Sequence, residues 1–118
     1  MSWLMVFIGG GLGSLLRFGI GRLSINLFSG NLPIGTFVAN LFSCLILGVV
    51  LGSFKSQFDK NSALYFLLAV GLCGGLSTFS TFSYESLKLF QEGLYIAGIL
   101  NIIVSVSLCM AILWFVLR

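Results

Sequence analysis

The chain has 118 residues and a net charge of +3; 58% are hydrophobic and only 8% are charged. Soluble domains carry about 25% charged residues, so this composition excludes a water-exposed globule. A bilayer-crossing helix takes roughly 20 apolar residues and four take about 80, which predicts an all-α membrane protein of four transmembrane helices in one domain, joined by short connectors.

The first segment covers residues 3–28 and is closed by Ser29-Gly30-Asn31. No basic residue precedes its apolar run, so the expectation is a retained membrane anchor and no cleaved leader. Gly9, Gly13 and Gly21 flank Arg17 at four-residue steps. Small residues so spaced let helix backbones approach closely in lipid. The run Gly9-Gly10-Gly11-Leu12-Gly13 fits neither a Walker loop nor a strand–GxGxxG–helix unit, which removes a phosphate site.

The second segment, residues 33–54, opens at Pro33, whose missing N–H costs nothing in a first helical turn. Asn40 falls near its middle, one turn after Thr36. A buried amide needs a partner, either on another helix or in a passing anion. Cys44, Gly48 and Gly52 repeat the four-residue spacing. Residues 55–61 form a polar connector.

The third segment, residues 62–90, carries the chemistry. From Cys73 it reads Cys-Gly-Gly-Leu-Ser-Thr-Phe-Ser-Thr-Phe-Ser-Tyr-Glu, crowding hydroxyls into a membrane helix. The pair Gly74-Gly75 predicts a break near mid-membrane. Broken backbone at that depth must be buried in protein or line a cavity. Its first half ends in free carbonyls suited to a cation, and its second begins with N–H groups suited to an anion. The alternative is a continuous helix whose hydroxyls bond back to their own carbonyls. Phe79 and Phe82, three apart, fall on one face; ring edges carry partial positive charge, although such pairs ordinarily just pack. Glu85 is deep in the segment, one turn from a partner in Lys88.

The fourth segment, residues 94–117, sets Asn101, Ser105 and Cys109 on one face, either a helix seam or a pore wall. The three cysteines form no CxxC pair and read as small apolar residues. Histidine is absent, so no nucleophile–base pair can be assembled and no enzyme is expected. Without a basic tract, nucleic acid is no partner. With four spans, Lys55, Lys60 and Arg118 share one side, against Arg22, Lys88 and Arg17 on the other. So little bias fits either insertion in both orientations, giving an antiparallel homodimer, or one weakly biased topology.

The run Gly74-Gly75-Leu76-Ser77-Thr78-Phe79-Ser80-Thr81-Phe82, with Gly9-Gly10 through Arg17 and Gly35-Thr36 through Asn40 and Gly48, resembles the CrcB/Fluc family of small fluoride channels over essentially the whole chain. The resemblance implies a dual-topology, antiparallel homodimer in the plasma (inner) membrane, with two fluoride pores that passively export the ion. It implies that Phe79, Phe82 and Asn40 line the path, with Ser80 and Thr81 beside them and Asn101, Ser105 and Cys109 as a polar track. Arg17 would draw anions into a vestibule. It also implies a structural Na+ at the dimer centre, held by backbone carbonyls of Gly74 and Ser77. Fluoride is small and strongly hydrated, so amide, hydroxyl and ring-edge donors suit it without trapping it. A proton-coupled drug exporter would want an intramembrane carboxylate, and the first 58 residues have none. A non-transporting assembly subunit is the remaining competitor.

Overall fold

A computed structural model describes residues 1–28, 30, 32–53 and 62–118. The connector at 55–61, with Lys55 and Lys60, lies outside them, as do Phe54, Ser29 and Asn31. Helix α1 is Ser2–Leu27 and α2 is Ile34–Ser53. The next segment, α3, runs from residue 63 to 76 through Ala63–Tyr65, a π-helical stretch Phe66–Leu72 and the turn Cys73–Leu76. Helix α4 is Ser80–Gln91 and α5 is Tyr95–Leu117. Among the described residues, four stretches are long and apolar enough to cross a bilayer: Ser2–Leu27, Ile34–Gly52, Ala63–Gln91 and Tyr95–Leu117. At 1.5 Å per residue, α1 is about 39 Å long, more than a hydrocarbon core of about 30 Å.

Local chemistry accounts for the ends. The Pro33 carbonyl accepts the Phe37 N–H at 3.1 Å, so Pro33 stands at the entry to α2. The Ser62 hydroxyl accepts the Tyr65 N–H at 3.1 Å and caps α3. Between α4 and α5, Gly93 takes φ +79°, Gly93 N–H donates to Phe90 O and Leu94 N–H to Leu89 O. That paired closure by a left-handed residue is a Schellman turn.

The third span is bent, and the bend is not at Gly74-Gly75. Those glycines belong to the helical turn Cys73–Leu76, and the helix stops at Ser77, where ψ reaches 156°. Gly75 serves packing instead: a Cβ there would collide with the Gly10 carbonyl of α1. The same seam needs Gly9 and Gly13, whose added Cβ atoms would run into the Leu67 and Leu72 carbonyls. Gly71 faces them, with a Cβ placed only 2.9 Å from Gly9 Cα. Four glycines thus bring two backbones into contact, as lipid-embedded association requires. Gly48 admits Val116 of α5 in the α2–α5 seam, its Cβ position 3.0 Å from Val116 Cγ1.

The break separates two packing partners. The α3 half lies on α1, and α4 lies on α5, which also runs along α2. The sealed core is small: Ala39, Val50, Cys73, Leu76 and Leu89, with the polar Ser43, Ser86 and Ser105. Trp3, Phe7, Ile96, Trp114 and Phe115 are among many large apolar side chains facing outward, an arrangement suited to hydrocarbon and not to water.

Candidate functional site at the helix break

Three non-helical residues, Ser77, Thr78 and Phe79, link α3 to α4. A helix end without partners leaves orphan carbonyls on one side and orphan N–H groups on the other. Here α2 supplies most of the partners. The Asn40 carbonyl oxygen accepts the Thr78 N–H at 2.8 Å, and its Nδ2 donates to the Thr78 carbonyl at 3.3 Å. One amide therefore grips both backbone groups of one residue. One turn along α2, Ser43 Oγ donates to the Cys73 carbonyl at 2.8 Å, which also accepts Ser77 Oγ at 2.9 Å. The Thr78 hydroxyl accepts the Thr81 N–H at 3.2 Å, starting α4.

These contacts position a groove of about 280 Å³ lined by Asn40, Cys44, Ser77, Thr78, Phe79, Phe82, Ser105 and Cys109 among others. The Phe79 and Phe82 rings stand 6.0 Å apart, tilted by 42°, within the range of interacting aromatic pairs. Phe82 is half-buried, whereas Phe79, before the first turn of α4, is 79% exposed in the single chain. Of the expected site residues, Asn40, Phe79, Phe82, Ser105 and Ser77 therefore share one groove.

The others lie elsewhere. Thr81 and Arg17 line a second cavity of about 470 Å³ with Arg22, Thr36, Thr78 and Glu85. Arg17 Nε donates to the Gly75 carbonyl at 2.9 Å, capping the broken end of α3. Asn101 lines a third cavity with Pro33, Phe37 and Ser105. Its Nδ2 donates to Ser86 Oγ at 2.9 Å, and Ser86 donates to the Phe82 carbonyl at 2.8 Å. The face Asn101–Ser105–Cys109 is thus divided: Asn101 ties α5 to α4, and Cys109 faces the groove. Ser80 is exposed at the start of α4, its hydroxyl 3.5 Å from that of Thr78. Gly74 is exposed on the outer surface of α3, with open space where a Cβ would stand.

Glu85 does not pair with Lys88. Its Oε1 accepts the Thr36 hydroxyl at 3.0 Å, while Lys88 lies 3.9 Å from Glu92 one turn onward. Helix α4 turns Glu85 inward to the second cavity, and Lys88 outward.

The three cavities adjoin through shared residues. Thr78 lines the groove and the Arg17 cavity, and Ser105 lines the groove and the Asn101 cavity. Thr78 and Ser43 are the residues that sequence reasoning left out of the site. For Ser43 a signal was available: Thr36, Asn40 and Ser43 follow helical spacing and make one polar face of α2, whereas its partners are set by where α3 stops.

Residues 4–117 match the family described as CrcB-like protein, Camphor Resistance (CrcB). Over 110 residues the chain is 43% identical to the Fluoride-specific ion channel FluC of Phocaeicola vulgatus, covering 91% of this chain and 88% of that protein. It is 42% identical over 116 residues to FluC 1 of Yersinia pestis, covering 97% and 91%. With the FluC of Coxiella burnetii strain Dugway 5J108-111 it shares 36% identity over 115 residues, covering 97% and 93%. With four membrane-length helices, a bent third span and this match along nearly its whole length, the chain belongs to the CrcB family.

Proposed function

We propose that this protein is a fluoride-selective channel that passively exports fluoride across the plasma (inner) membrane, and is not an enzyme. The observation that carries the reading is the groove at the helix break, where the Phe79–Phe82 pair, the Asn40 amide and the Ser105 hydroxyl converge. The relatives named as fluoride-specific channels supply the ion. Fluoride must exchange its water for closely spaced donors that release it again. Hydroxyl, amide N–H and ring-edge C–H groups are weak enough to do so, and the Arg17 guanidinium in the second cavity, which shares Thr78 with the groove, draws anions toward it. In this reading the path runs past Thr78 and Ser105, each of which lines two neighbouring cavities.

The functional unit we infer is an antiparallel homodimer with two pores. Support comes from what a single chain leaves open. Phe79, Ser80 and Gly74 are exposed near the middle of the Ala63–Gln91 span. Polar or broken backbone facing lipid is costly, and a second copy set against the break removes that exposure. The near-balanced Lys and Arg distribution is compatible with insertion in both orientations, which this unit requires.

A structural Na+ belongs to the same reading. The donor set fits: α3 ends at the break with carbonyls pointing along its axis, those of Cys73 and Gly75 are occupied by protein donors, and Gly74 lies on the open surface. Oxygen donors without a carboxylate suit a hard monovalent cation. The Gly74 and Ser77 carbonyls would hold it, and the ion would supply charge that binds two breaks together.

The deciding test is fluoride efflux from liposomes containing the purified protein, with valinomycin clamping the voltage, sodium present and chloride for comparison. Fast fluoride loss with negligible chloride loss is expected. Absence of efflux from well-folded dimers would overturn the channel reading in favour of an assembly subunit.

A further inference from the structure

Helices α4 and α5 form an antiparallel pair closed by the turn at Gly93. Its rungs can be followed from that turn toward the break. Gly98 makes the first: a Cβ there would stand 3.0 Å from the Phe90 ring. One turn on, Asn101 Nδ2 donates to Ser86 Oγ at 2.9 Å. One turn further come Ser105 and Phe82, which both line the groove. Residues four apart on a helix share a face, so the middle rung sets the register of the third. An unbroken chain of hydrogen bonds runs through it: Ser105 Oγ donates to Asn101 Oδ1 at 3.4 Å, Asn101 Nδ2 to Ser86 Oγ, and Ser86 Oγ to the Phe82 carbonyl at 2.8 Å. The hydrogens account for the directions. Ser86 has a single hydroxyl hydrogen and gives it to Phe82, so its oxygen accepts and the amide presents nitrogen to it. That turns Asn101 Oδ1 toward Ser105. Ser86 and Ser105 are each 4% exposed, and Ser86 is not among the residues lining the groove or the two neighbouring cavities.

We propose that Asn101 and Ser86 are positioning residues, a pin that holds α4 in register against α5 and so fixes the Phe82 ring relative to the Ser105 hydroxyl. The spacing of donors decides which halide they can serve in place of its water. Fluoride, the smallest, needs donors set closely, and a helix pair free to slide admits a larger ion. Asn101 acts on the ion through Ser86 and Ser105 and is not itself a ligand in the path. The consequence for selectivity rests on the channel reading; the pin does not.

The test uses Ser86→Ala and Asn101→Leu, alone and together, in the full chain. Ser86→Ala strips a buried amide of its acceptor, so a lower unfolding temperature in detergent is expected. Replacing both partners by apolar groups removes that orphan, so the double variant is expected to unfold nearer the parent than Ser86→Ala does. In liposomes under valinomycin, fluoride and chloride efflux are measured separately. All three variants are expected to lose fluoride-over-chloride selectivity by roughly three- to tenfold, the span of one hydrogen bond's net contribution. The double variant thus recovers stability but not selectivity, a split that a merely stabilising bond would not produce. If Ser86→Ala yields no folded protein, the double variant carries the flux measurement. Parent selectivity in Ser86→Ala or in the double variant would overturn the positioning role, and a change confined to Asn101→Leu would make Asn101 a direct ligand instead. Additive losses of stability in the double variant would overturn the pin. A parent chain that conducts no fluoride would defeat the channel reading, and the unfolding comparison would still decide the pin.

Discussion

At the residue scale, the centre of the molecule is the grip of Asn40 on Thr78. An unmade hydrogen bond to a buried group costs about 1–3 kcal/mol, and Asn40→Ala leaves two Thr78 backbone groups unpaired. A loss of about 2 kcal/mol or more is expected by thermal unfolding in detergent, with a loss of flux. Asn40→Asp keeps the acceptor for the Thr78 N–H and should unfold closer to the parent. Phe82→Ile removes a ring edge from the groove but little volume. Fluoride efflux is expected to fall by about tenfold or more, which corresponds to roughly 1.4 kcal/mol, with the oligomeric state unchanged by size-exclusion chromatography. Normal flux in that variant would end the role assigned to the ring. Asn40, Phe79 and Phe82 were legible as candidates because an amide and an aromatic pair stand out against aliphatic sequence. Their partners were not. Whether Asn40 turns to backbone or to a cavity depends on where α3 stops, and no residue in α2 encodes that.

At the element scale, glycine does two different jobs. In the α1–α3 seam it permits contact between backbones. Gly75→Val would drive side-chain atoms into the Gly10 carbonyl, and overpacking typically costs about 1–3 kcal/mol. The expected result is a lower unfolding temperature and reduced yield of folded protein. At Gly93 it permits a positive φ. A non-glycine residue held in the left-handed region costs roughly 1–2 kcal/mol, so Gly93→Ala is expected to destabilise by about that much without altering selectivity, measured by unfolding and by efflux. The four-residue glycine spacing in α1 made the seam legible. Gly74-Gly75 misled for the same reason: glycine weakens a helix, but here close approach to α1 is what demands it. The actual stop, at Ser77, follows from bonds made by Asn40, Ser43 and Arg17, residues that are 34 or more positions away in sequence.

At the scale of the whole molecule, the charge count bears on how chains enter the membrane and the exposed break on how they pair. If both orientations occur, a C-terminal epitope beyond Arg118 should be protease-protected on about half of the chains in sealed vesicles. Protection of all or none would remove the antiparallel dimer. Replacing Na+ by N-methylglucamine through long dialysis is expected to lower flux or dissociate the dimer; unchanged flux and oligomeric state would argue against a structural cation. Composition and length alone determined the membrane class and the number of spans, because unpaired backbone is so costly in hydrocarbon that only apolar helices of this length satisfy it. The glycine and hydroxyl patterns marked α1 and the third span as the unusual elements. Only the tertiary structure decided where the third span breaks, that Thr81 and Arg17 share one cavity while Phe82 and Ser105 share another, and that Glu85 answers to Thr36. Those choices are set by hydrogen bonds between helices, whose cost when unmade is comparable to the preference of any one residue for helix or break.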